Sequence, residues 1–402
     1  MLKNQTVLAL MALMAVSCSK QDQTNVAADT HFQDQLLGEL IDAKPGDVIS
    51  IPAGTYSFDR SLSLMVDNVT IRGAGMDETI LSFKDQVAGA EGLLVTASNF
   101  TIEDLAIEDA KGDALKINEG DNIIIRRVRT EWTNGPDTKN GAYGFYPVQT
   151  SNVLIEDSVA IAAADAGIYV GQSKNVIVRN NRAEFNVAGI EIENTQGADV
   201  YNNVAINNTG GILVFNMPNL TQSGSDVRVF SNKVYENNTK NFGHKGTPVA
   251  SVPAGSGIVV TSHDNIEIFG NHMRRNNTAN VIISSVHSTG WDLSNAEDGF
   301  DAYPENISIH HNVYEGGGKS PDGLDLKALK TLMFGISGRI PDILWDGYAN
   351  TALEGPNICI TEDQVEVLNV DQPNKNADPR LETKVFNCSL APLKEIKLAL
   401  SE

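Results

Sequence analysis

Cysteine is scarce in this 402-residue chain, with only 3, and so are cations: 30 Lys and Arg stand against 51 Asp and Glu, a formal charge of -21. No basic stripe or run of arginines interrupts the acidity, which excludes nucleic acid as a partner because neutralising phosphates needs clustered cations. The same acidity opposes long-range capture of a polyanion unless calcium or a local basic pocket intervenes. The chain also lacks CxxCH, GxSxG and a phosphate-binding glycine loop, the short signatures of covalent haem, a nucleophile elbow and nucleotide phosphates. Long apolar runs are missing too. The N-terminal MLKNQTVLALMALMAVSCSK is too short to span a bilayer comfortably, and its lysine, apolar stretch and small residues have the shape of an export signal over residues 1–17.

The stretch Ala15-Val16-Ser17-Cys18 resembles a bacterial lipoprotein processing box, with Ala15 where leucine is more usual. That resemblance implies a lipidated Cys18 and, from Ser19 after it, the outer membrane: a cell-envelope address in which the lipid anchor alone touches the membrane. An ordinary secretory signal cleaved nearby is the alternative. Residues 18–30 are polar and aperiodic, a tether. Cys359 and Cys388 remain, an even pair in an exported chain, and predict a disulfide.

What the chain has in abundance is near-copies of one unit. KNVIVRNNRAEFNVAGIEIEN can be laid on SNVLIEDSVAIAAADAGIYVG before it and GADVYNNVAINNTGGILVFN after it, and more loosely on DNIEIFGNHMRRNN and ENISIHHNVYEGGG. Each unit has short β-branched strands separated by polar turns, at a period of roughly 22 to 24 residues, the range of a stacked solenoid. Asn181, Asn203, Asn232 and Asn271 each end a first strand, and Asn186, Asn208, Asn237 and Asn276 follow at the same offset. Asparagine tolerates a left-handed corner and can hydrogen-bond to the coil above, so these residues predict ladders.

This pattern resembles the right-handed parallel β-helix of the pectate-lyase-like superfamily. The opening KPGDVISIPAGTYSFDRSLSLMVDNVTIRGAGMDETIL carries the same likeness, and the helix before it, with Phe32, Leu36, Leu37 and Leu40 on one face, would cap the open end. The implied fold is all-β, a single-domain solenoid of roughly ten coils over residues 31–318 and about 50 Å long. A tail over 319–402, with a short helix from Leu326 to Met333, would cover its far end or side. Segments such as NGAYGFYPVQTSNVLIE and YPENISIHHN are similar to a group of exported bacterial tandem β-helix repeat proteins, a likeness that implies the fold and the address but no reaction.

Stacking in register turns spacing into geometry. Phe145, Ile168, Ile190, Ile212 and Ile258 point inward, one outward column runs Lys116, Tyr146, Tyr169, Glu191, Leu213, Val259, and the next runs Asn118, Val148, Gly171, Glu193, Phe215, Thr261. Gln149, Gln172, Asn194 and Asn216 flank them. Rings, amides and acids together suit a sugar, whose apolar face stacks and whose hydroxyls need donors and acceptors. Three breaks in the period, at residues 133–147, 239–256 (with His244) and 285–304 (with Trp291), predict loops that wall the patch.

The expected partner is therefore a polysaccharide or oligosaccharide, with another exported protein as the alternative. Three activities fit. A lyase or uronate epimerase would use Tyr146 or Tyr169 as base or acid, with Lys116 or His244 lowering a tyrosine or meeting the substrate acid. A hydrolase would pair Glu191 with Glu193, about 7 Å apart but on one side of the groove. The paired aspartates and Gly-His-Gly of pectin-hydrolysing relatives are missing. A binding scaffold would do neither. None of these requires a cofactor, and calcium is the one ion they admit.

Overall fold

The computed structural model describes residues 30–398 and 400, apart from 292, 295, 354, 363–364 and 383–385. The segment expected to be an export signal, Cys18 and nearly all of the expected tether lie outside the described residues.

Three short strands make a typical coil: Ala166–Gly171, Lys174–Arg179 and Arg182–Glu184, then Ala188–Glu193, Gln196–Tyr201 and Val204–Ile206. Alternation puts one row of β-branched residues inside, and the constant period puts like on like. Ile168 pairs with Ile190, Ile190 with Ile212, and Ile212 with Ile258, all in parallel register and all fully buried. The result is one continuous aliphatic core. The first strands of the coils form a twelve-stranded sheet that is parallel except for its last strand, Arg380–Glu382.

The corners show a division of labour that the sequence pattern merged into one residue. Asn180, Asn202, Ser231 and Gly270 take the left-handed backbone, and the asparagine after each forms the buried ladder. Asn208 is representative of the second ladder. Its Nδ2 donates to Asn237 Oδ1 and Ala183 O, both at 3.0 Å, while its Oδ1 accepts from Asn186 N at 2.9 Å. Asn208→Ala should cost about 2 kcal/mol, since it strands buried donors and an acceptor. Asn122→Gly, which removes a member of the exposed amide ladder with Asn99 while keeping the left-handed backbone that position adopts, should change the denaturant midpoint hardly at all.

Helix α1, Thr30–Asp42, buries Leu36 and Leu40 against the first coil, with Phe32 and Leu37 partly covered. At the other end the solenoid runs past residue 318. Strands Ile343–Trp345, Ile358–Thr361 and Val367–Asn369 continue the parallel stack. Helix α2, Leu324–Phe334, interrupts the period there, which is why the sequence reads this region as a tail. Cys359 and Cys388 are joined in a disulfide. Beyond it the last segment doubles back along the rod, where Leu393 N donates to Glu267 and Ile396 N to Asp199.

Candidate functional site

Along Ala188–Glu193 the isoleucines turn inward and Glu191 and Glu193 turn away from the core. Register then sets Tyr169 beside Glu191, Gly171 beside Glu193, and Lys116 beside Tyr146, with Leu213 and Phe215 on the following coil. Both columns stand as the period predicts. Their depth differs from the expected open surface: Tyr169 is 3%, Glu191 1% and Glu193 8% exposed.

The excursions produce that depth. Tyr143 leans over the face, its ring centroid 4.3 Å from Tyr146 and 4.7 Å from Tyr169. Phe242, Val249 and Val252 of the second loop pack into the same apolar cluster as Tyr169 and Phe215. Trp291 of the third stands 5.8 Å from Phe215. A fourth excursion, residues 217–224, engages two expected sugar ligands. Asn194 Nδ2 donates to Met217 O and Gln222 O, Asn216 Nδ2 donates to Gly224 O, and both residues are buried. Their amides hold a loop. Gln149 and Gln172 line a separate corner recess, where Gln172 Oε1 accepts from Thr221. His244 sits on the exposed side, its Nε2 on the Thr138 carbonyl, and links two loops.

Asp113, Tyr143 and Asp165 complete the polar cluster and were missed by the two-column reading. Asp165 is 5% exposed, and Oδ1 of Asp165 and Oε2 of Glu191 have no hydrogen-bond partner among the described residues. Burial comes first in lifting both carboxyls well above the usual range, followed by repulsion from Glu193 and Asp113 for Asp165 and from Asp165 and Glu193 for Glu191. Burial takes Glu193 up to about 7, opposed by a hydrogen bond from Tyr169. Asp113 rises to about 6 by desolvation, opposed by Lys116.

The tyrosines move in the direction opposite to that expected of a base. Desolvation and the neighbouring carboxylates hold Tyr143 and Tyr169 well above 10, and push Tyr146 up to about 12. Lys116 does not reverse this. Its Nζ stands 3.9 Å from both Glu91 and Asp113 and lies over the Tyr146 ring, 4.9 Å from the centroid.

Gly171 explains how Tyr169 reaches Glu193. A Cβ at position 171 would fall 1.9 Å from the Tyr169 hydroxyl, so the ring lies across the gap that glycine leaves in the column. Gly171→Ala should evict that hydroxyl and remove its support for ionised Glu193. The Glu193 carboxyl, followed by ¹³C NMR titration, should then titrate at higher pH than in the wild type.

Among the described residues no group of three or more His, Cys, Asp or Glu is arranged to hold a metal ion.

A sequence profile for the right handed beta helix region matches residues 91–319, more than half of the chain. The chain belongs to this family. Among curated proteins, the pre-neck appendage protein of Bacillus phage B103 is 23% identical over 205 residues, 42% of this β-helix chain and 24% of the phage protein. The chain thus spans about a quarter of that relative's length. Among solved structures, the A-modules of the Azotobacter vinelandii mannuronan C-5 epimerases AlgE4 and AlgE6 superpose with TM-scores of 0.54 and 0.53. They are 19% and 18% identical, covering 84% of this chain and 91% and 90% of theirs. At that identity the likeness shows the β-helix fold.

Proposed function

We propose that the protein binds an acidic carbohydrate along the face from Lys116 to Phe215 and removes the proton next to a sugar carboxylate, as a lyase or epimerase does. The observation that carries this reading is the Tyr169–Glu193 pair: a carboxylate that ionises near neutrality beside a tyrosine that stays protonated. A general base works best with a pKa near the working pH, and a neutral tyrosine is a proton donor. Glu193 is thus the base, and Tyr169 and Tyr146 are the acids. Protonated Glu191 and Asp165 can hydrogen-bond a substrate carboxylate as carboxylic acids, with Lys116 as the cation at the rim.

Loss of the proton leaves a carbanion. It expels the glycosidic oxygen in a lyase or takes a proton back in an epimerase. Acid and base on one wall suit a syn elimination, in which the proton and the glycosidic oxygen leave from the same face; an epimerase must deliver its proton to the opposite face, and inverting hydrolysis needs its carboxyls on opposite sides of the sugar. The shared fold of two mannuronan epimerase modules supports the substrate class. A lipid anchor at Cys18 and an outer-membrane position belong to the same proposal. Against it stands a binding scaffold for an exported partner, favoured by the deep burial of Glu191 and Tyr169.

The test incubates the purified protein with alginate, pectate and glycosaminoglycans, with and without calcium. Absorbance in the unsaturated-uronate band reports elimination, and deuterium uptake from D2O reports epimerisation. One signal is expected, and Tyr146→Phe with Tyr169→Phe should remove it. Product that survives the double variant would overturn the residue roles, and tight binding of an exported protein without turnover would establish the scaffold.

A further inference from the structure

We infer that the apolar cavity next to the acid cluster receives the acyl chain of an acylated saccharide, an inference that rests on the carbohydrate reading above. The two columns change character within one coil. Glu191 is followed by Leu213, and Glu193 by Phe215. The first column then continues through Val259, Ile282 and Leu344, all of which line a cavity of about 290 Å³. That is roughly twice the ~150 Å³ cavity that takes one benzene ring.

The shape favours a chain over a ring. From Leu213 to Leu344 the floor crosses three coil steps, about 14 Å at about 4.8 Å per step; the column that runs its length is aliphatic, and Thr261, Ser284 and Asp346 of the neighbouring column edge it. Trp291 and Leu329 rise from the sides. Trp291 Nε1 is buried and has no hydrogen-bond partner among the described residues, so a donor waits at the wall for an ester or amide carbonyl. The trough begins where the polar cluster ends, so a sugar held by Tyr169 and Glu193 would direct a substituent straight into it.

The lid carries large apolar side chains on both sides, with Asp325 at the cavity rim. Helix α2 turns Leu326, Leu329 and Met333 toward the cavity cluster. Leu324 and Leu332 on its outer side, with Ile336 just beyond, are 84%, 83% and 87% exposed. An ordinary surface helix keeps that side polar, and scattered single exposures would need no explanation. Three large apolar residues over the mouth of an apolar trough match a lid that passes a chain from a lipid surface to the interior.

The experiment titrates the full chain calorimetrically with octyl β-D-glucuronide below its micelle concentration, with glucuronate, and with octyl glucoside. The octyl glucuronide should bind at least a hundredfold more tightly than glucuronate and shift tryptophan emission to the blue. Val259→Trp, which fills the trough, and Leu329→Glu, on the peripheral lid, should each erase that gain and leave glucuronate binding unchanged. Equal binding of the alkylated and free sugar, or a gain that persists in both variants, overturns the inference; should a variant fail to fold, an unshifted emission in the wild type overturns it as well. If octyl glucoside binds as well as the glucuronide, the acyl site stands and the acidic-sugar reading fails.

Discussion

Glu193→Gln is expected to lower turnover of an acidic glycan about 10³-fold, within the range usual for loss of a general base. Glutamine keeps the size of the side chain and can still meet the Tyr169 hydroxyl, so the fold and KM should change little. The signature is in the pH profile. A base must be ionised to act, and the Glu193 carboxyl titrates at about 7. Wild-type kcat/KM, which reports the free enzyme, should therefore fall as the pH drops below about 7, and the residual activity of the variant should show no such limb. A limb that persists in Glu193→Gln would transfer the role to Asp113, whose carboxyl titrates at about 6.

The same substitution is expected to stabilise the protein at alkaline pH. Burial raises Glu193 from 4.5 to about 7 in the folded state. Between those values the unfolded chain gives up a proton that the folded chain keeps, so stability falls as pH rises from about 4.5 through about 7. Below the lower value both states are protonated and nothing is lost. The shift corresponds to on the order of 3 kcal/mol once both forms are ionised. Chemical denaturation should thus show Glu193→Gln more stable than the wild type by about that amount at pH 8, and equal to it at pH 4. A residue that lowers stability in order to sit where it does is the pattern of a functional site. If Glu193→Gln were destabilising at pH 8, the carboxylate would be structural.

How much of this was legible in the chain follows from what repeats. Tyr169 beside Glu191 and Gly171 beside Glu193 could be read directly, because equal spacing in a solenoid becomes vertical neighbourhood. Depth could not, because the segments that bury the face are those that leave the period. Asp165 escaped for a related reason. It lies at a corner just before its strand, outside both alternating columns, and its one signal was an acid set among Ala162, Ala163, Ala164, Ala166 and Gly167. Small residues there let the second loop approach, and a Cβ on Gly243 would stand 3.5 Å from the Ala164 carbonyl. The direction of the tyrosine shifts was likewise hidden, since it depends on how many carboxyls a closed pocket holds. The last coils were masked by the insertion of α2, although their strands obey the same alternation.

The returning C-terminal segment has a mechanical consequence. Its backbone is tied to Asp199 and Glu267, in the middle coils, while Cys388 staples its root to the strand Ile358–Thr361. A rod of stacked turns ordinarily frays from its free tip, one rung at a time. Here the final rungs cannot peel away until the strip lying across earlier ones has been lifted, so pulling on the C-terminus loads the centre of the molecule before its end.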